Sequence, residues 1–122
     1  MEFKELDIKG VFEIKLDPKE DKRGFFMRIY DNKIFKENGI DKKWIQENNS
    51  FSKDKGIIRG LHFQFSPNGE AKLIRVATGE IFVAIVDLRK GSDTFGKWIS
   101  TKLSDNNKKM IFAPRGVAMG IC

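Results

Sequence analysis

The chain has 122 residues, which is enough for one domain with a real hydrophobic core. It is 40% hydrophobic and 33% charged, a balance typical of a folded globular protein and not of a disordered one. No apolar run approaches the ~20 residues that cross a bilayer, the N-terminus has no apolar signal segment, and the single cysteine, Cys122, excludes an intrachain disulfide. We therefore predict a cytoplasmic protein without a membrane segment.

The net charge of +6 is spread over polar turns in which lysines are mixed with acids. The sequence contains no basic helix or continuous arginine stripe of the kind that binds nucleic acid. We therefore expect no nucleic-acid partner. The cations that stand out are arginines beside apolar residues: Arg23, Arg59, Arg75 and Arg89.

Most of the chain alternates apolar and polar residues over short runs, which predicts β-strands. In chain order, the predicted strands cover residues 10–16, 25–30, 44–52, 57–65, 72–79, 80–89 and 97–104, and an apolar segment over 110–122 ends the chain. Residues 17–24 are predicted to be a loop, and residues 32–39 the one short helix, ending at Gly39, which suits a left-handed C-cap. Residues 80–89 are nearly all apolar, which predicts a strand buried on both faces.

Short strands at regular spacing, with turns between them, predict a β-sandwich or barrel. The sequence contains no linker, repeat or low-complexity segment. We therefore expect a single all-β domain over residues 1–122.

Several polar residues are embedded in the predicted strands. Gln46 and Asn48 are two residues apart and so share a face, as do His62 and Gln64 if the chain is extended there, and Lys72 begins the next strand. Buried polar groups are unfavourable unless they are paired, so such a face forms a hydrogen-bonded network or lines a cavity. Antiparallel sandwiches and barrels hold small ligands in cavities of this kind.

The residues alone leave the role of His62 open. It is the only histidine, and sites for Zn, Fe or Mn usually need two or three His, Cys or carboxylate ligands, so we predict no metal site. A lone histidine is more often structural than catalytic, an arginine such as Arg23 more often pairs within its loop, and Lys72 more often stays at the surface. The functional alternative is acid–base chemistry without a metal.

The order of six segments resembles that of the dTDP-4-dehydrorhamnose 3,5-epimerase family. The segments are DKRGFF (21–26), QENNS (46–50), GIIRGLHFQ (56–64), EAKLIRVATGEIF (70–82), VDLRKGSDTFGKW (86–98) and FAPRGVAMG (112–120). The resemblance runs from about Gly10 to the last residue. It implies a cupin-type jelly-roll β-sandwich or barrel, a homodimer, no metal or organic cofactor, and a dTDP-linked 4-keto-6-deoxysugar as substrate.

The resemblance also implies a mechanism. The ketone at C4 of the sugar acidifies the hydrogens on C3 and C5, so a base removes one of them to form an enolate, and a proton returns from the opposite face. His62 matches the family's base, for which imidazole is suited because it titrates near neutral pH. Lys72 matches a lysine beside the keto oxygen, where a cation stabilises the enolate.

Four further residues match substrate contacts of the family. Arg23 and Arg59 match arginines that hold the nucleotide-sugar, and guanidinium groups suit a diphosphate. Gln46 and Asn48 match the pair that contacts the thymidine end. The implied function is epimerisation at C3 and C5 of dTDP-4-keto-6-deoxyglucose to dTDP-4-keto-L-rhamnose, in dTDP-rhamnose biosynthesis.

The sequence departs from the family pattern at four positions. The family usually has Glu at the position of Arg28, Gln at Glu70, Asp at Val83 and His at Met119. The family pattern also has a C-terminal third that this chain lacks, with a tyrosine that donates the proton and an aspartate that orients the base. Two alternatives therefore stay open. One is a shortened domain that binds a nucleotide-sugar without turnover, and the other is an epimerase that acts at one centre of another nucleotide-linked keto sugar.

Overall fold

The computed structural model describes residues 1–122 as two four-stranded antiparallel sheets, a separate hairpin and one helix. The first sheet has the strand order β1-β2-β9-β6, the second has the order β5-β10-β7-β8, and β3 pairs with β4. The elements are β1 (Glu2–Glu5), β2 (Phe12–Lys15), β3 (Lys19–Asp21), β4 (Gly24–Phe26), α1 (Asn32–Glu37), β5 (Arg59–His62), β6 (Lys72–Arg75), β7 (Glu80–Asp87), β8 (Trp98–Ser104), β9 (Lys109–Ala113) and β10 (Val117–Ile121).

Strand β9 shows how the two layers are built. Its side chains alternate, so Ile111 and Ala113 enter the core between the sheets, whereas Met110 and Phe112 pack on the other face with α1. The first sheet is therefore covered on both faces. The inter-sheet core consists of Ile8, Val11, Val83, Ile85, Leu103, Ile111, Ala113, Val117 and Met119.

Helix α1 has the local signals that its sequence predicts. The carboxylate of Asp31 accepts hydrogen bonds from the backbone N–H groups of Lys33 and Ile34 at 3.0 and 3.2 Å, and so satisfies donors that the first turn leaves free. Gly39 follows the helix with a φ of +85°, the left-handed conformation predicted for it. Phe35 anchors the helix on the first sheet and is 0% exposed. No helix in the structure has both the length and the apolar character needed to cross a membrane.

The strand predicted over residues 44–52 is wrong, because residues 40–58 contain no helix or strand. Ile45 and Phe51 are 84% and 81% exposed, and Gln46 and Asn48 are exposed as well. Alternation produces a strand only where a neighbouring strand supplies hydrogen bonds and one face is buried. Neither condition is met here.

Other elements also differ from the prediction. The loop predicted over 17–24 contains strand β3, and the strand predicted over 25–30 ends at Phe26, as part of β4. Strand β1 lies in a charged N-terminal segment where no strand was predicted, and only Phe3 in it is half-buried. The prediction that β7 is buried on both faces is wrong, because Val83 and Ile85 are fully buried but Phe82, on the outer face, is 44% exposed.

Candidate active site

His62 ends β5, an edge strand of the second sheet, and pairs with Met119 of β10. Residues directly opposite each other in an antiparallel ladder project to the same face. Met119 belongs to the inter-sheet core, so His62 faces the interior of the sandwich. It remains exposed because β5 lies at the open side. The imidazole therefore lies at the rim of the interior, where a ligand can reach it.

Lys72 begins β6, the edge strand of the first sheet. Its same-face neighbour Ile74 packs on the inter-sheet core, so Lys72 points toward the same interior as His62. Its Nζ donates a hydrogen bond to the carbonyl oxygen of His62 at 3.1 Å and lies 3.0 Å from Oε1 of Glu70. This hydrogen bond joins edge strands of the two sheets and brings the two predicted catalytic residues together.

The pair has a defined chemical capacity. A neutral imidazole accepts a proton, and a nearby ammonium stabilises negative charge that develops on an oxygen. The side chain of Lys72 is only 22% exposed, so its charge is partly shielded from solvent and acts more strongly than it does in bulk water. The arrangement suits removal of a proton next to a carbonyl group. No group of three or more His, Cys, Asp or Glu is placed to hold a metal ion.

Two glycines determine how closely β5 approaches β10 beside His62. Gly60 has a φ of +114°, and a Cβ atom built on it would lie 2.6 Å from the Cα of Gly120. A Cβ on Gly120 would lie 3.2 Å from the carbonyl oxygen of Arg59. A side chain at Gly60 would push the strands apart, so the ladder that holds His62 opposite Met119 requires glycine there.

Arg59 ties the irregular segment 40–58 to the second sheet. Its Nε donates to Oγ of Ser52 at 3.4 Å and its Nη2 to the carbonyl oxygen of Phe51 at 3.2 Å. Guanidinium has five N–H donors, so donors remain for a ligand. Gln46 and Asn48 belong to the same segment, and both are exposed.

The structure does not group Arg23 with His62 and Lys72. Arg23 lies in the hairpin of β3 and β4, where Nη2 donates to Oδ2 of Asp21 at 2.6 Å. These hydrogen bonds lower the pKa of the Asp21 carboxyl. Phe25 in the same hairpin contacts Nζ of Lys108, the residue before β9. Lys72 pairs with Ala113, the last residue of β9. The hairpin and Lys72 therefore lie near opposite ends of β9, about 13 Å apart along the strand.

The four departures from the family pattern have different structural consequences. Nη1 of Arg28 donates to Oδ2 of Asp31 at 3.1 Å, at the start of α1. Val83 and Met119 lie in the inter-sheet core, which suits apolar side chains. Glu70 contacts Lys72 directly. The spacing of two residues between this acid and this base is the sequence pattern that could have indicated the contact.

Sequence reasoning did not assign a role to Asp87, which organises the loop after β7. Its carboxylate is fully buried and accepts hydrogen bonds from Nε of Arg89 at 2.8 Å, from Ser92 at 2.7 Å and from Thr94 at 2.6 Å. The bonds from Arg89, and then those from the hydroxyls, hold the pKa of Asp87 far below its usual range despite its burial. Arg89 also donates to the carbonyl oxygen of Lys9 at 2.8 Å. This part of the VDLRKGSDTFGKW segment is therefore a scaffold.

An antiparallel β-sandwich with a polar site at its interior rim defines a protein of the cupin-type jelly-roll class. Within that class, the chain belongs to the dTDP-4-dehydrorhamnose 3,5-epimerase family, whose model matches residues 5–122. The all-β fold and the family inferred from the sequence are confirmed.

The relatives cover nearly all of this chain but extend well beyond it. The dTDP-4-dehydrorhamnose 3,5-epimerase of Methanothermobacter thermautotrophicus is 43% identical over 118 residues, which are 97% of this chain and 63% of the relative. The crystal structure of the Bacillus anthracis epimerase with TDP and PPi bound has a TM-score of 0.96 and 38% identity, and the match covers 99% of this chain and 69% of that one. The Legionella pneumophila enzyme in complex with dTDP-4-keto-L-rhamnose has a TM-score of 0.92 and 38% identity, with 98% and 63% covered. The chain spans between 30% and 63% of the length of the first curated relatives it matches.

Proposed function

We propose that the protein epimerises C3 and C5 of dTDP-4-keto-6-deoxyglucose to give dTDP-4-keto-L-rhamnose, with His62 as the base. The observation that carries the proposal is the 3.1 Å hydrogen bond from Nζ of Lys72 to His62 at the interior rim. The relative that holds dTDP-4-keto-L-rhamnose and the relative that holds TDP support the substrate class.

The proposed step begins with proton transfer to the His62 imidazole from a carbon next to the ketone. The C–H bond breaks, its electron pair forms the enolate, and the negative charge moves to the C4 oxygen beside Lys72. A proton then returns to the same carbon from the opposite face, which inverts the centre. The family resemblance assigns that acid to a tyrosine that lies outside residues 1–122, so within this chain the proton is proposed to come from solvent water.

The remaining predicted contacts are proposed to act on the nucleotide. The donors left on Arg59 suit the diphosphate, because guanidinium pairs with phosphate oxygens in a two-point geometry. Gln46 and Asn48 offer amide donors and acceptors for the thymine ring. A nucleotide diphosphate extends away from its sugar, so Arg23, which lies far from His62, suits that end of the ligand.

Proton exchange in D2O tests this function. The chain is incubated with dTDP-4-keto-6-deoxyglucose, and the C3 and C5 protons are followed by NMR. We expect deuterium at both carbons and formation of the L-sugar, and we expect the His62→Ala variant to lose exchange while it still binds dTDP. Exchange at one carbon supports the one-centre alternative. Binding without any exchange supports a nucleotide-sugar-binding domain instead.

We propose that the functional unit is a homodimer. The outer face of the second sheet carries three exposed large apolar side chains: Leu61 at 54%, Phe82 at 44% and Trp98 at 66%. Apolar patches of this kind mark interaction surfaces. Light scattering is expected to give twice the chain mass of 14.0 kDa for the native protein and a lower mass for Trp98→Glu. A monomeric native protein contradicts the proposal. The cytoplasmic location stays a prediction from the sequence.

A further inference from the structure

Glu70 contacts Lys72 of the proposed catalytic pair, and the predicted mechanism gives it no role. Its Oε1 lies 3.0 Å from Nζ of Lys72, and the same Nζ donates to the carbonyl oxygen of His62 at 3.1 Å. The ammonium group thus lies between a carboxylate that precedes its own strand and the backbone of an edge strand in the other sheet. An ammonium has three N–H donors, of which the hydrogen bond to His62 occupies one, and Glu70 adds an ion pair to the same group.

The energetics indicate what this ion pair does. Glu70 is 43% exposed, and an exposed Lys–Glu pair contributes little to folding stability. Its main effect is on Lys72, whose flexible four-carbon stem otherwise samples many rotamers. The hydrogen bond to His62 and the ion pair with Glu70 together restrict the ammonium to one position at the rim.

We propose that Glu70 is a positioning residue, which holds the ammonium of Lys72 against the His62 strand by charge so that a free N–H of Lys72 is available to the keto oxygen of the substrate. The catalytic part of this inference rests on the proposed function. The placement of Lys72 by Glu70 does not, so the two are tested separately.

Chemical labelling tests the placement without any turnover. The native protein and its variants are treated briefly with an N-hydroxysuccinimide ester of acetate, and acetylation of each lysine is measured by mass spectrometry. Lys19, which is 76% exposed, serves as the internal reference. In Glu70→Ala we expect Lys72 to react several-fold faster relative to Lys19, because its ammonium has lost the carboxylate that holds it in place. In Glu70→Asp, which keeps a carboxylate, we expect a smaller change.

A matched control comes from a second Lys–Glu pair on the surface. Glu80 lies 3.2 Å from Lys102, so Glu80→Ala removes a similar pair and should leave the labelling of Lys72 unchanged. If Lys72 reacts at the same rate in Glu70→Ala as in the native protein, the inference is overturned, whether or not the protein is an epimerase.

Kinetics test the catalytic part. We expect Glu70→Ala to lower kcat roughly 10-fold with little change in KM or in dTDP affinity, because a displaced cation affects the enolate more than the bound ground state. Glu70→Asp, which keeps the carboxylate, should recover part of that loss. Equal losses in both variants, or a rise in KM alone, contradict a positioning role. If the native protein shows no exchange in D2O, the proposed function fails, and the labelling result decides the placement of Lys72 by itself.

Discussion

Met119 lies directly across the ladder from His62, and the two side chains project to the same interior face. Met119 is 3% exposed and packs with the inter-sheet core. An apolar thioether therefore lies beside the imidazole at a position where the family usually has a histidine. The neighbourhood of His62 in this chain is less polar on that side than the family pattern implies.

A histidine at position 119 is therefore expected to destabilise this chain. Met119→His buries a polar ring among apolar neighbours and should lower the free energy of unfolding by about 1–3 kcal/mol. Met119→Leu conserves volume and should lower it by less than about 1.5 kcal/mol. Urea denaturation of both variants checks this. A Met119→His protein as stable as the native one would mean that the imidazole finds a partner in the interior.

Gly60→Ala is expected to disturb the strand pair that holds His62. The new Cβ would lie 2.6 Å from the Cα of Gly120, and relieving such overpacking typically costs about 1–3 kcal/mol in addition to the unfavourable φ. Gly24→Ala is a matched control, because Gly24 also has a positive φ, +133°, but nothing lies within 4 Å of its Cβ position. Urea denaturation should show the larger loss for Gly60→Ala, and equal losses would remove the close approach as its cause.

Asp87→Asn is expected to lower the free energy of unfolding by about 3–5 kcal/mol at pH 7, because it leaves Arg89 without its buried carboxylate partner. The folded-state pKa of Asp87 is depressed, so its stabilising effect is complete above the unfolded-state pKa of about 4 and declines as the pH falls below that value. Urea denaturation at pH 7 and at pH 3 should therefore show a smaller difference between native protein and variant at pH 3. A difference that does not change with pH would contradict this account.

Arg59→Ala should weaken dTDP binding by about 10-fold, the effect of losing one charge-assisted hydrogen-bonding group. Lys102→Ala is the control, since Lys102 is an exposed cation on β8, the opposite edge of the second sheet from Arg59, and pairs with Glu80. Isothermal titration with dTDP measures both affinities. Unchanged affinity in Arg59→Ala would exclude its proposed contact with the nucleotide.

Local signals in the sequence predicted the elements that depend on near neighbours. The helix was predicted because Gly39 supplies a left-handed C-cap, and most sheet strands because one face of each is buried. The strand predicted over residues 44–52 failed because its alternation has no partner strand. Strand β3 was predicted as part of a loop because its residues are all exposed and show no buried stripe.

The chain itself determined the family, the all-β class and the identity of the candidate residues, since motif order and alternation are properties of the sequence. Tertiary structure alone decided which of those residues meet. His62 and Lys72 lie on edge strands of different sheets, and only the packing of the two sheets brings Nζ of Lys72 within 3.1 Å of the His62 backbone. The same packing leaves Arg23 at the other end of β9 and places Glu70 beside Lys72. Such distances depend on contacts between residues remote in sequence, which local periodicity does not encode.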